Sequence, residues 1–209
     1  IRDLYDGFDA ESCCGSVTGT ITGAGKAFSA DLWLEDIASG RSVAHTAANT
    51  DGSFRFGGIG YGTFRVVVRE TSRNTIYATY SMGEVTVRED EPATISRRIS
   101  RRPLDFSLLM LGRNTILSDS PIKLRPGASV QLYVGGRGVS AERQRVEIDS
   151  PYIKADLTNA ADDTYEGGFS GMHFLFSVDD AAPAGIYNVC LSSNGRRDCL
   201  PGGIVVSDN

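Results

Sequence analysis

The chain has 209 residues, a length that allows one large domain or two small ones. Hydrophobic residues make up 41% of it, which is ordinary for a folded protein and excludes bulk disorder. With 26 acidic against 21 basic residues the net charge is −5, which argues against a nucleic-acid-binding protein. No apolar run reaches the roughly 18 residues that a membrane-spanning helix needs, so we expect no transmembrane segment.

The N-terminal residues show no recognisable secretory signal. The sequence starts at Ile1 without a methionine, a charged n-region or an apolar h-region. Either a signal has been removed or the residues are an internal segment. Residues 1–15 contain acids and aromatics, including Tyr5 and Phe8, but no periodicity. We interpret them as an arm that is either flexible or ordered by something it touches.

Apolar and polar residues alternate with a period of two through most of the chain, which predicts strands. In residues 30–35, Leu32 and Leu34 would face one side of a strand and Trp33 the other. Such segments recur about every ten residues with turn residues between them, the pattern of β-sandwiches. We therefore predict an all-β protein of two consecutive antiparallel β-sandwich domains, with at most one helical turn at residues 160–163.

A domain boundary is predicted near Arg97–Pro103. Alternation fades there, four arginines cluster, and Pro103 cannot donate to a sheet ladder. The cluster is either a basic patch for an acidic partner or, as we favour, the solvated end of the first domain and its linker. The expected organisation is an arm at 1–15, a first sandwich at 16–100, a linker at 101–111 and a second sandwich at 112–209.

The first half contains a glycine-rich opening at 15–21 (GSVTGTI) and the segments 50–59 (TDGSFRFGGI) and 61–66 (YGTFRV). Asp51-Gly52 is expected to make a hairpin turn, and the two phenylalanines after it to pack in the core. These motifs resemble carboxypeptidase-regulatory-like domains, which are small transthyretin-like sandwiches. The resemblance covers about residues 15–100 and implies a non-catalytic module.

The second half has turn and strand motifs at 125–132 (RPGASVQL), 181–189 (AAPAGIYNV) and 202–206 (GGIVV). They resemble bacterial immunoglobulin-like domains of the IPT/TIG type, over about residues 112–207. Both families serve as spacers, adhesion modules and docking modules in envelope proteins. The two resemblances together imply such a role for this chain.

Cys190 and Cys199 flank Asn194-Gly195, a pair that favours a two-residue type I′ hairpin loop. Counting outward from that loop sets the two cysteines opposite each other at a non-hydrogen-bonded pair, where Cα atoms lie about 4.5 Å apart. That separation suits a disulfide, which alternation puts on the face away from Tyr187 as an outward staple. A disulfide indicates export to the periplasm or the extracellular space. Two reduced thiols are the alternative.

The remaining chemistry-bearing residues do not assemble into an enzyme signature. The segment 168–172 (GFSGM) lacks the last glycine of a nucleophile elbow. His45 and His173 fall in different predicted domains, and the acidic pairs at 162–163 and 179–180 lack the spacing of a calcium loop. Cys13 and Cys14 are adjacent, which favours a local structural clip, with reduced thiols or a bond to a partner chain as alternatives. We therefore predict no enzymatic activity, no cofactor and no metal.

Because no enzyme signature is found, the prediction of function depends on residues that could form an interface. Trp33, the only tryptophan, would be an aromatic anchor on the outward face of its strand, or be partly buried beneath the arm or at the domain junction. The segment 104–111 is apolar on both faces, so one face must cover a domain junction or a partner. The candidate interface residues are Tyr5, Phe8, Trp33, Leu108, Leu109 and Met110.

These observations favour a non-catalytic exported structural or docking protein. We expect an accessory subunit of a bacterial cell-envelope or membrane-associated assembly, for which a periplasmic subunit of an electron-transfer or photosynthetic complex would fit. Its partners would be other protein subunits of that assembly. The alternative is a carbohydrate-binding or adhesive surface module, with Trp33 and either Tyr77 or Tyr80 as an exposed platform for a glycan.

Overall fold

A computed structural model of the chain is all-β, as the sequence predicts. It describes residues 15–23, 29–70, 77–89, 91–100, 102–113, 116–118, 120–165 and 169–208. These residues contain sixteen strands, and no helix among them is long and apolar enough to cross a membrane. The chain divides into two compact units. The first takes residues 1–37, 42–73 and 79–101, and the second takes 38–41, 74–78 and 102–209.

The first unit is a sandwich of two layers. Its strands are β1 (Gly15–Gly23), β2 (Ala30–Asp36), β3 (Arg41–Ala47), β4 (Ser53–Ile59), β5 (Gly62–Glu70), β6 (Tyr80–Val87) and β7 (Ala93–Ile99). One layer has the order β4-β1-β7, in which β1 and β7 run parallel. In the other layer β3, β2, β5 and β6 pair in that order, all antiparallel.

The core of the first unit lies between these layers, because each strand turns one set of alternate residues inward. Leu32 and Leu34 on β2 are fully buried, and on the facing layer the rings of Phe54 and Phe56 meet edge to face at 5.8 Å. The core position predicted for the two phenylalanines is therefore confirmed. Burying each such side chain contributes about 1.5–3 kcal/mol.

The Asp51-Gly52 turn does not close a hairpin, so that prediction is wrong. β3 and β4 belong to different layers, and the turn carries the chain from one to the other. Gly52 has a φ of 82°, and the Asn49 amide donates to the Ser53 carbonyl at 2.8 Å. The Ser53 amide donates to Asp51 Oδ1 at 2.9 Å. Hydrogen bonds from the side chain and backbone of Ser53 hold the pKa of Asp51 below its ordinary value.

The second unit is also a sandwich of two layers. Its strands are β8 (Ser107–Arg113), β9 (Ile116–Ser118), β10 (Ile122–Leu124), β11 (Ser129–Arg137), β12 (Arg145–Glu147), β13 (Ile153–Tyr165), β14 (Phe169–Val178), β15 (Gly185–Ser193) and β16 (Arg196–Val206). A five-stranded layer has the order β13-β14-β11-β8-β9. In the other layer β16 pairs with β15 and with β10, and β12 pairs with β15.

The predicted linker at 101–111 is too long, because residues 107–111 already belong to β8 of the second unit. β8 carries a bulge opposite residues 135–136 of β11. Gly135 pairs with Met110 and Gly136 pairs with Leu108, so Leu109 between them is the extra residue. A bulge reverses the alternation of a strand, so both Leu108 and Leu111 enter the core, each 0% exposed. Leu108 is therefore not available as an interface residue.

Residues 160–163 form no helical turn, which the expectation of at most one turn allows, and the acidic pair at 162–163 lies in a strand and not in an inter-strand loop. These residues lie within β13, whose pairing with β14 shifts register between Leu157 and Asn159 and again between Asn159 and Asp163. Irregular pairing removes the clean alternation that would have marked a strand in the sequence.

Gly19 tests the close approach of β1 to β7. A Cβ at this position would lie 1.8 Å from the Ile95 carbonyl oxygen, which is backbone and cannot rotate away. We expect Gly19→Ala to lower the free energy of unfolding by about 3 kcal/mol, measured by urea denaturation. Gly57→Ala on β4 is the matched control, because nothing lies within 4 Å of its added Cβ. Its effect should stay within about 0.5 kcal/mol, and equal losses in both variants would contradict the packing described.

Candidate functional site

Trp33 lies in the middle of β2 and is completely buried. Its cross-strand neighbours are His45 on β3 and Val67 on β5. The indole faces away from the core of the first unit, as alternation predicts, yet both Trp33 and Val67 are 0% exposed. The prediction of an exposed aromatic anchor is therefore wrong, and so is a sugar platform built on this ring. Alternation gives the direction of a side chain but not what covers it.

A buried polar cluster explains how the indole is held. Trp33 Nε1 donates to Glu35 Oε1 at 3.1 Å, and Arg65 Nη1 lies 3.6 Å from Glu35 Oε2. The Glu35 side chain is 3% exposed, and a buried carboxylate is costly unless donors and a positive charge compensate it. Trp33 and Arg65 supply both, so this cluster is a structural feature of the sheet.

The hairpin of β15 and β16 has the predicted register. Asn194 and Gly195 have φ values of 50° and 70°, which is the left-handed conformation that a type I′ loop needs. Cys190 lies opposite Cys199 with their Cα atoms 4.0 Å apart, and the disulfide is formed. The prediction of the bond is confirmed.

The expectation that this disulfide is an outward staple is wrong in one respect. Cys190 and Cys199 lie outside the apolar core cluster, but they are only 2% and 1% exposed. β12 pairs with the edge of β15 in the same sheet, and this pairing sets Glu147 directly opposite Cys190. β12 could not be recognised from the sequence pattern, because three residues are too few to show a period.

Asp198 is a structural residue that the sequence analysis missed. It is 0% exposed, and its Oδ2 accepts a hydrogen bond from the Leu108 amide at 2.9 Å. Leu108 is next to the bulge of β8, where the regular ladder is interrupted. The carboxylate thus joins the disulfide hairpin to β8. An aspartate at an inward position among apolar residues is the signal that could have revealed it.

A group of aromatic and aliphatic side chains lies on the outer side of the five-stranded layer, next to polar residues such as Gln131 and Asp156. We call this surface the aromatic face. The Tyr133 and His173 rings lie 4.0 Å apart between centroids, and the Arg137 guanidinium lies 5.4 Å from the centre of the Phe169 ring. Both pairs are cross-strand neighbours on β11 and β14. The aromatic face consists of Met110, Tyr133, Arg137, Phe169, His173 and Leu175, of which Arg137 is exposed and the others are half-buried.

Of the candidate interface residues, Met110 alone is described at an accessible position, on the aromatic face. Tyr5, Phe8, Cys13, Cys14 and the side chain of Leu109 lie outside the described residues. The two tyrosines proposed to flank Trp33 are half-buried, and Tyr80 packs against the core of the first unit.

Polar groups that were considered for an enzyme or metal site, and set aside, have structural contacts. Ser170 Oγ donates to the Val139 carbonyl at 2.8 Å, and His45 Nε2 lies 3.6 Å from Asp31 Oδ1. The two histidines are in different units, as predicted. Within the ranges that the structure describes, no three His, Cys, Asp or Glu side chains gather as metal ligands would.

Comparison with known proteins adds little at this distance. No protein-family model and no curated protein matches the sequence. The major pilin subunit of Bacillus cereus aligns with a TM-score of 0.33 and 11% identity, over 92% of this chain and 69% of that one. A structure of titin aligns with a TM-score of 0.23 and 12% identity, over 92% of this chain and 97% of that one. Scores this low carry no functional argument, and the two family resemblances stay predictions.

The single tryptophan makes its burial directly measurable. We expect native fluorescence with a blue-shifted emission maximum and almost no quenching by iodide, because the indole is 0% exposed. Unfolding in urea should shift the emission to the red and restore quenching. Strong iodide quenching of the native protein would show that Trp33 is on the surface after all.

Removing the disulfide tests its contribution to the second unit. The cysteines are nine residues apart, and closing a ring of that size stabilises a fold by about 2–3 kcal/mol. The double variant Cys190→Ala/Cys199→Ala should lose that amount of unfolding free energy in urea. Reductant should destabilise the unsubstituted protein in the same experiment and leave the double variant unchanged.

Proposed function

We propose that this protein is a non-catalytic, exported docking or structural protein, an accessory subunit of a cell-envelope or membrane-associated assembly. The aromatic face carries the proposal. On the solvent side of an antiparallel layer, alternation normally places polar residues. Here part of that side bears aromatic, aliphatic and arginine side chains, the types enriched in protein–protein interfaces, beside polar residues such as Gln131 and Asp156.

The side chains of this surface are already partly ordered. The Tyr133 and His173 rings are in contact with their planes tilted by 53°, and Arg137 lies over Phe169. Side chains held in such pairs lose less conformational entropy when a partner binds, so more of the contact energy appears as affinity. Tyrosine and arginine are also among the residues that most often dominate interface energies. These properties favour a protein partner.

The buried disulfide supports export. Disulfides form and persist in the periplasm, outside the cell or in the secretory pathway, and are rare in the cytosol. We therefore place the protein in the periplasm or outside the cell, facing its partners there. A periplasmic subunit of an electron-transfer or photosynthetic membrane complex is one assembly of this kind. The glycan platform is not proposed, because the tryptophan it requires is buried.

Photo-cross-linking in the native cells tests the proposal. A photoreactive residue at Met110 or at Leu175 on the aromatic face should capture the same protein at high yield. The control position is Thr94, an exposed residue on β7 of the first unit, which should capture nothing specific. Equal labelling at all three positions, or none on the aromatic face, would refute the proposal.

A substitution pair tests whether the ordered aromatics bind. Tyr133→Ser with Phe169→Ser should weaken the association of the captured partner at least about tenfold, because central aromatic residues contribute most to such interfaces. Thr94→Ser is the control and should leave the association unchanged. Thermal unfolding of both variants would separate lost binding from lost folding. Unchanged association of the folded double variant would contradict the assignment of this surface.

A further inference from the structure

A depression of about 400 Å³ lies beside the tip of the β15–β16 hairpin, bounded by β12 and the turn before it. We call it the arginine depression. Two of its arginines come from that turn and from β12, and two from the start of β16. Two glutamates line it as well. Its charged residues are Arg143, Arg145, Arg196, Arg197, Glu142 and Glu147.

Arginines outnumber carboxylates in the lining of this depression. Four arginines and two glutamates line it, and two aspartates outside the lining, Asp149 and Asp105, lie 2.6 and 3.9 Å from Arg197 and Arg143. Charges of both signs are normally mixed evenly over a protein surface, so four arginines in one hollow are a departure from that mixing. A guanidinium in a concave surface attracts anions when no carboxylate is already paired with it.

Two of these arginines, Arg145 and Arg196, are positioned by neutral groups. Arg145 Nη1 donates to the carbonyl oxygens of Ala141 and Gln144 at 3.2 and 3.0 Å. A carbonyl fixes the guanidinium without neutralising its charge, and a guanidinium has several further N–H donors. The same holds for Arg196 with the Pro103 carbonyl at 3.2 Å. Arg143 donates to the Gly138 carbonyl at 3.2 Å and also lies 3.9 Å from Asp105 Oδ2.

Strand register brings two arginines to the two sides of one hydroxyl. Arg145 on β12 pairs with Ser192 on β15, and Ser192 pairs with Arg197 on β16. The three side chains point away from the core, and the outer two strands lie roughly 10 Å apart. Arg197 Nη1 is itself held by Asp149 Oδ2 at 2.6 Å. Two guanidinium groups and a hydroxyl therefore form one row across the depression.

We propose that the arginine depression binds a tetrahedral oxyanion, the phosphate or sulfate group of a monoester. Guanidinium groups form paired hydrogen bonds with such groups, and donors that converge from separate strands suit an anion with oxygens on several sides. Two carboxylates limit the affinity, since Glu147, opposite Cys190, accepts a hydrogen bond from Ser192 and Asp149 is paired with Arg197. This site is separate from the aromatic face and does not depend on the proposed docking function.

Titration of the whole protein with four probes at constant ionic strength tests the site. Inorganic phosphate and inorganic sulfate measure the shared chemistry, and glycerol phosphate and glucose 6-sulfate distinguish the two sources. We expect saturable shifts of the amide resonances of Arg145, Ser192 and Arg196. The ester that binds more tightly identifies the class of ligand. Absence of saturable shifts with all four probes would refute the proposal.

Variants of opposite sign make the test specific. Arg145→Gln should weaken binding about tenfold, and Arg196→Gln provides the same test if the first variant folds poorly. Glu147→Gln should tighten binding about threefold, because it removes the negative charge that contacts Ser192. Arg55→Gln, at an exposed position on β4 of the first unit, is the control and should change nothing. Equal weakening by Arg55→Gln and Arg145→Gln would show general charge screening and overturn the proposal.

Discussion

The register of the β15–β16 hairpin is the constraint on which most of the second unit depends. Because side chains alternate along a strand, a slip of one residue would exchange its two faces. The Asn194-Gly195 loop fixes the register, and three consequences follow from it. The cysteines meet, Asp198 turns inward to bind the Leu108 amide, and Arg197 joins Ser192 on the opposite face.

Two buried carboxylates accept hydrogen bonds in the interior of the protein. One lies beside an interrupted strand ladder and the other lies on the buried outward face of β2. Asp198 accepts the amide beside the β8 bulge, and Glu35 is held by Trp33 in the first unit. Each of these carboxylates lies where an unpaired buried group would cost about 1–3 kcal/mol. Loss of either partner would therefore be felt more strongly than loss of a surface ion pair, which contributes about 0–1 kcal/mol.

The two proposed surfaces use different physical features of the second unit. The aromatic face lies on the outer side of the five-stranded layer, where the tyrosine–histidine and arginine–phenylalanine pairs offer apolar area to a protein. The arginine depression is at the hairpin tip, where carbonyl groups hold guanidinium donors in place. Separate surfaces allow the protein to bind a partner and an anion independently.

The sequence by itself determined the all-β class, the hairpin register and the disulfide, because these depend on alternation and on one loop with a strong conformational preference. Only the tertiary structure decided which outward residues are exposed. Trp33 and Cys190 point away from the cores as alternation requires, yet both are buried, since burial depends on segments distant in the sequence. The β8 bulge that brings Leu108 and Leu111 into one core is also a tertiary feature, because the sequence pattern assumes an unbroken ladder.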